Sequence, residues 1–322
     1  MRAQQGFSLI EIVVALALTG VVLAAVFTAI DPANGSFTTE AELADMQQRL
    51  RVAAQTLAED LVTAGARSGT AASLGSGAAP FPAVLPYRVG PLNPDPPEAA
   101  AASAVTVIAV PATAAETSIE GAIRGGSSET TIGAAAGCPW TAGTRDPACG
   151  LEPGAVVLVH DERGFDVFTI SRVAGSTVSL EQVRHALARP FEPGSRIVPI
   201  VATTYYLRND DRAGAYQLMR YNGRSSDAPV VDHVVALAFE YFGGGAGGEP
   251  LAPLSPSEVA ANPPPIVRRV RVRLRVQAAA DSLRGPAGAL FVHGGSARQA
   301  RRWAPDLETT VDVALRNAGL DP

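Results

Sequence analysis

Gly6-Phe7-Ser8-Leu9-Ile10-Glu11 opens onto Ile12-Val13-Val14-Ala15-Leu16-Ala17-Leu18 and an apolar run that meets no second charge before Asp31. As a helix rising ~1.5 Å per residue, the stretch from Phe7 to Ile30 reaches roughly 36 Å, enough to cross a ~30 Å hydrocarbon core with some tilt. One carboxylate, Glu11, interrupts it. An ionised side chain in hydrocarbon costs at least ~2.5 kcal/mol, so Glu11 is expected to meet a partner. Cleavage between Gly6 and Phe7 would place the new α-amine of Phe7 at the depth of Glu11, so that one subunit's amine meets a neighbour's carboxylate. A secretory signal has a shorter apolar centre and a small-residue cleavage site. Ala24-Ala25-Val26 and Thr28-Ala29 leave that reading open, while the length of the run and Glu11 argue for a retained helix.

The Gly6, Phe7 and Glu11 spacing, behind a short polar leader with Arg2, resembles the type III signal of type IV pilins and type II secretion pseudopilins. The resemblance implies that a prepilin peptidase cuts after Gly6, that Phe7 is N-methylated and that Glu11 guides assembly. The chain then divides into a leader (1–6), a transmembrane helix (7–30), an amphipathic helix (37–66) and an exported β-rich domain (67–322). Arg2 and the initial amine, with no further basic residue before Arg49, set the N-terminus in the cytoplasm. The expected place is the inner (cytoplasmic) membrane, crossed once, with the C-terminal domain in the periplasm, and a pilus or pseudopilus after assembly.

Asp31-Pro32-Ala33-Asn34-Gly35 predicts a kink or a short melted stretch. A second helix starts at Thr39 and Glu42, in capping-box spacing. Leu43, Met46, Leu50, Ala53, Leu57, Leu61 and Ala64 place one apolar stripe on it, and Glu40, Asp45, Glu59 and Asp60 fall on the remaining surface. Gly65 stops it. Short strands separated by Gly, Asn and Asp are predicted at 105–110, 156–160, 165–173, 177–180, 196–207, 216–221, 231–241, 267–277 and 307–316. Gly-, Ala- and Pro-rich stretches at about 67–103, 111–137, 243–265 and 278–305 read as loop inserts. The expected fold is α+β and pilin-like: a transmembrane helix continued by an amphipathic helix packed on an antiparallel β-sheet.

In the run 267–276, Arg269, Arg271, Arg273 and Arg275 alternate with Val270, Val272, Leu274 and Val276. Asp306, Glu308 and Asp312 alternate in the same way in the last strand, so the two strands are expected side by side. The arginine face is otherwise a candidate surface for a partner or for DNA. Nucleic acid is not the expected partner, because the formal charge is −5 and, with Arg2 removed, 25 basic residues stand against 31 acidic ones. Cys138 and Cys149 flank a Pro- and Gly-bearing loop and read as one disulfide in an oxidising compartment, with unbridged thiols as the alternative. Two cysteines fall short of a structural zinc set. The histidines, His160, His185, His233 and His293, are scattered singly, His233 on the apolar face of a strand, and no catalytic spacing is present. No enzyme, cofactor or metal is expected.

Gln47-Gln48-Arg49-Leu50, Leu57-Ala58-Glu59-Asp60-Leu61, Tyr205-Tyr206-Leu207-Arg208, 234–241, Arg269-Val270-Arg271-Val272 and 313–317 are similar, in this order, to blocks of PilW-like minor pilins and J-type pseudopilins. That resemblance implies a minor pilin that helps prime type IV pilus assembly and sits at the filament tip. Its partners would be other minor pilins, the major pilin and the inner-membrane assembly platform. A type II secretion pseudopilin, and a tip adhesin or DNA-capture module, are the alternatives.

Overall fold

The structure, a computed structural model, describes residues 8–66, 81–90, 103–125, 127–135, 137–141, 143–183, 189–210, 215–244 and 250–315. Gly6, Phe7, His185 and most of the insert expected at 67–103 lie outside them. The first element, α1 (Leu9–Val62), is one helix of 54 residues. The break expected at 31–35 is absent. Proline removes one N–H and crowds the preceding turn, at roughly 3 kcal/mol, yet a new helix after a break would have to be nucleated afresh. The boundaries 7–30 and 37–66 therefore mark a change of composition within one helix.

The described residues form two compact bodies. In the smaller, α1 up to Gln48 is joined by Gln277–Asp306. The Glu42 carboxylate accepts the N–H of Ala279 at 2.7 Å, a tertiary bond in place of the capping box expected with Thr39. The stretch 278–305 is a folded loop. Phe291 and Trp303 meet edge to face at 5.6 Å between centroids, buried Arg284 pairs with Asp281, and the N–H of Ala304 reaches the carbonyl of Leu283 at 2.8 Å.

The larger body carries the remaining strands. In chain order they are β1 (Val84–Leu85), β2 (Ala104–Ala109), β3 (Thr117–Ser118), β4 (Ser127–Thr131), β5 (Trp140–Thr141), β6 (Thr144–Arg145), β7 (Val156–Asp161), β8 (Gly164–Ala174) and β9 (Thr177–Gln182). There follow β10 (Arg196–Pro199), β11 (Val201–Asp210), β12 (Ala215–Tyr221), β13 (Asp227–Asp232), β14 (Val234–Gly243), β15 (Ala252–Leu254), a short helix α2 (Pro256–Val259), β16 (Val267–Val276) and β17 (Leu307–Ala314). A five-stranded sheet has the order β1-β2-β11-β12-β13, and a four-stranded one β15-β14-β16-β17, all antiparallel. The apolar stripe of α1 is buried in this body at Leu50, Ala53, Leu57, Leu61 and Ala64. Where the helix stops, the N–H of Gly65 donates to Ile108 and that of Val110 to Ala66, both at 2.8 Å, so the helix end is tied to β2.

The third sheet corrects the sequence reading most. Its order is β3-β10-β7-β8-β9-β4, and an antiparallel bridge between Ile119 and Ile132 joins the two outer strands. The sheet is thus closed into a small six-stranded barrel, which removes its exposed edges. Ile119, Ile123, Ile132, Val157, Val159, Phe168, Ile170, Val178, Leu180, Phe191 and Ile197 fill it. Alternate residues of the same strands, Val156, Leu158, Val167 and Val198, pack outward against Leu85, Ile108 and Ala202 of the five-stranded sheet. Strands buried on both faces read as continuous apolar runs, as Val156-Val157-Leu158-Val159 does. The stretch 111–137, expected as a loop insert, supplies β3 and β4 and is indispensable to closure.

The barrel is inserted between β2 and β11, whose ends Ala109 and Val201 face each other in register. The expected single strand 196–207 is two strands in two sheets. The Ile200 N–H still donates to Val156 of β7 at 2.9 Å, and the chain passes to the five-stranded sheet at Val201. The expected strand 231–241 is likewise divided at His233, which takes φ 60° between β13 and β14 rather than lying on a strand face.

Candidate functional site

The apolar part of α1, Leu9–Val26, has a mean hydropathy of 2.7 and none of it is buried. Leu9, Ile10, Leu16, Leu18, Val21 and Val22 stand in the open, a contiguous apolar surface of a kind that soluble monomers rarely expose. Glu11 lies in the first turn of this helix. Its carboxylate accepts the N–H of Ser8 at 3.2 Å, while the Ser8 carbonyl accepts the N–H groups of Glu11 at 3.1 Å and Ile12 at 3.2 Å. The acid thereby satisfies an otherwise unpaired donor at the positive end of the helix dipole. Thr19 donates its hydroxyl to the Ala15 carbonyl at 2.8 Å, so this polar group is satisfied within the helix.

The arginine strand lies where its charges are answered. β16 runs between β14 and β17, with Arg271 opposite both Glu240 and Asp312, and Arg275 opposite Glu308. Arg271 reaches Asp312 at 3.0 Å and Glu240 at 3.5 Å, Arg273 reaches Glu240 at 2.8 Å and Glu308 at 3.7 Å, and Arg269 reaches Asp312 at 3.7 Å. The guanidinium groups of Arg269 and Arg271 also lie 4.2 and 5.3 Å from the ring centre of Phe242. The side-by-side placement of the two strands is as expected from their charges. Asp306 belongs elsewhere, accepting the N–H of Val292 at 2.7 Å.

Cys138 and Cys149 are bonded, with Cα atoms 4.5 Å apart, and both are buried among the residues that fill the barrel. The sequence suggests the bond but not that it brackets a separate hairpin, β5–β6, with its cysteines packed in the barrel core. A second cluster escaped sequence reading. Asp60, placed by periodicity outside the apolar stripe, accepts hydrogen bonds from Tyr205 at 2.6 Å and from Arg220 Nε and Nη2 at 3.1 and 3.0 Å. Tyr205 is fully buried, and burial first, then the Asp60 carboxylate, hold its phenol well above its ordinary pKa. The only signal in the chain was an acid directly beside the apolar Leu61.

The prokaryotic N-terminal methylation motif is matched over residues 1–27. Among solved structures, a type IV-like pilin from Thermus thermophilus matches with 17% identity, 52% of this chain and 87% of that chain covered, and a TM-score of 0.18. A superposition of that quality carries no argument, and the fold rests on the strands described above. No curated protein matches the chain. What the N-terminal match and the helix establish together is a chain headed by the methylation signal of type IV pilins, continued by an exposed apolar helix and an α+β body built on antiparallel sheets.

Proposed function

We propose that this protein is a membrane-anchored minor pilin that is cleaved after Gly6, methylated on Phe7, and helps prime assembly of a type IV filament. One observation carries the reading: the fully exposed apolar helix Leu9–Val26 is headed by Glu11 within a matched methylation motif. In a membrane this surface is solvated by lipid, and in a filament by the same helices of other subunits. Neutralisation of Glu11 by a neighbour's Phe7 amine would lower the cost of leaving one environment for the other. The exported body would then lie in the periplasm, and the partners would be the prepilin peptidase, other minor pilins, the major pilin and the assembly platform. A type II secretion pseudopilin would share all of this anchor. The β16 arginines are answered by Glu240, Glu308 and Asp312, which argues against their forming a DNA-capture surface.

The test is the intact mass and N-terminal sequence of the protein recovered from membranes of cells with and without the prepilin peptidase. A chain beginning at methylated Phe7, only when the peptidase is present, is the expected result. A chain beginning at Met1, or cut near Ala29, in peptidase-containing cells would overturn the reading.

A further inference from the structure

The hairpin β5–β6 is a two-stranded sheet of its own whose residues are exposed. Trp140 is 68% exposed, an unusual setting for the largest apolar side chain. The Cys138–Cys149 bond closes the hairpin at its base, and both sulfurs are buried in the barrel interior. The N–H of Asp146 donates to the Pro139 carbonyl at 2.8 Å, and the Asp146 carboxylate accepts the N–H groups of Ala148 at 3.0 Å and Gly150 at 2.7 Å. Opposite Trp140 in register stands Arg145, whose guanidinium carbon lies 5.5 Å from the indole centre and whose Nη1 donates to the Ala135 carbonyl at 2.6 Å. With both Asp146 oxygens committed to backbone, Arg145 forms no ion pair among the described residues, and the Trp140 indole N–H has no partner among them.

The surroundings define the ligand. Arg145 lies over the ring, Thr141 and Thr144 are the exposed hydroxyl residues of the same two strands, and no other exposed large apolar side chain lies on the hairpin among the described residues. A protein-binding hot spot needs a contiguous desolvated core with a polar rim, which a lone ring among hydroxyls does not supply. Nucleic acid is held mainly through its phosphates, and the hairpin offers one arginine on a chain of net charge −5. A flat ligand with one apolar face and a perimeter of hydroxyl or carboxylate oxygens fits the ring and the guanidinium together. A sugar ring is such a ligand. We propose that the disulfide-stapled hairpin Trp140–Arg145 is a carbohydrate-binding tip, in which the indole stacks on the apolar face of a sugar ring and Arg145 donates to its oxygens. Because the platform is pre-ordered by the disulfide and the Asp146 bonds, little side-chain freedom is lost on binding. The inference is independent of how the N-terminus is processed.

The test is retention of the full-length protein, purified in detergent, on columns of peptidoglycan, chitin, cellulose and polygalacturonate, with single-stranded DNA agarose alongside. Retention on at least one polysaccharide is expected, at least tenfold weaker for Trp140→Ala and intermediate for Trp140→Phe, with the melting temperature of both variants unchanged. Lack of retention on all four polysaccharides, or equal retention of wild type and Trp140→Ala, would overturn the proposal. So would salt-sensitive retention confined to DNA.

Discussion

The phenol of Tyr205 donates to the carboxylate of Asp60 at 2.6 Å, and Arg220 donates to both of them, so that a residue of α1 is bonded to β11 across 145 positions of sequence and to β12 across 160. This is a positioning contact. Apolar burial of Leu57 and Leu61 holds the helix on the sheet but tolerates sliding, whereas three hydrogen bonds to one carboxylate oxygen fix its register.

Tyr205→Phe is expected to destabilise the larger body by about 1 kcal/mol, and Asp60→Ala by about 2 to 3 kcal/mol, because the second leaves both a buried phenol and a guanidinium without their acceptor. Urea denaturation of the full chain in detergent measures both. Equal effects of the two changes would contradict a shared network.

Alkaline pH supplies a separate check. The native state holds the Tyr205 phenol above its ordinary pKa of 10.0. A group raised on folding contributes its stability fully below the unfolded value and loses it as pH rises toward the native one. Wild-type stability should therefore fall as pH climbs past about 10, and less steeply in Tyr205→Phe. Tyr206 and Tyr241 are raised in the same direction, so the difference between proteins, rather than the fall itself, is diagnostic.

Glu11→Ala should leave peptidase cleavage and Phe7 methylation unchanged while impairing recovery of the protein in sheared filaments. Immunoblots of membrane and filament fractions at matched expression check this, and normal incorporation would remove Glu11 from the assembly mechanism.

Replacing Cys138 and Cys149 together by alanine should cost about 2 to 3 kcal/mol from loss of the loop constraint. The readout is the melting temperature of wild type with and without reductant against that of the double variant, which should be insensitive to reductant.

Arg271 and Asp312 are each more than a third exposed, so their ion pair at 3.0 Å is expected to couple by no more than ~1 kcal/mol and to weaken with added salt. A double-mutant cycle with Arg271→Ala and Asp312→Ala measures it. Coupling well above that value would assign the charged sheet a larger structural share than its exposure suggests.

Asn262 docks on the β7–β8 hairpin by accepting the N–H of Phe165 at 3.0 Å and donating to its carbonyl at 2.7 Å. Gly164, at φ 152°, leaves room for it, and a Cβ there would overlap the Asn262 side-chain oxygen. Gly164→Ala should lose both bonds, destabilising by about 2 kcal/mol or more in the same denaturation assay.

Local chemistry was sufficient for several periodic features of this chain, though not for the helix that runs on through Pro32 and Gly35. The apolar length of 7–30 and the lone Glu11, the stripe from Met46 to Ala64, the disulfide, and the neighbouring charged strands at 267–276 and 307–314 are all visible in residue order, because each depends on a spacing of a few positions or on charge alternation. Tertiary structure decided what depends on distant partners. The chain's turn from one sheet to another at Val201, and again at His233, reverses no local pattern, since apolar β residues continue on both sides. Closure of the barrel rests on Ile119 meeting Ile132 across a Gly- and Ser-rich stretch whose composition alone resembles a loop. Asp60 falls outside the apolar stripe because helical periodicity ranks a position by its own face, whereas its role is set by partners on strands far along the chain: the buried Tyr205 phenol requires an acceptor, and the exposed Arg220 guanidinium shares it.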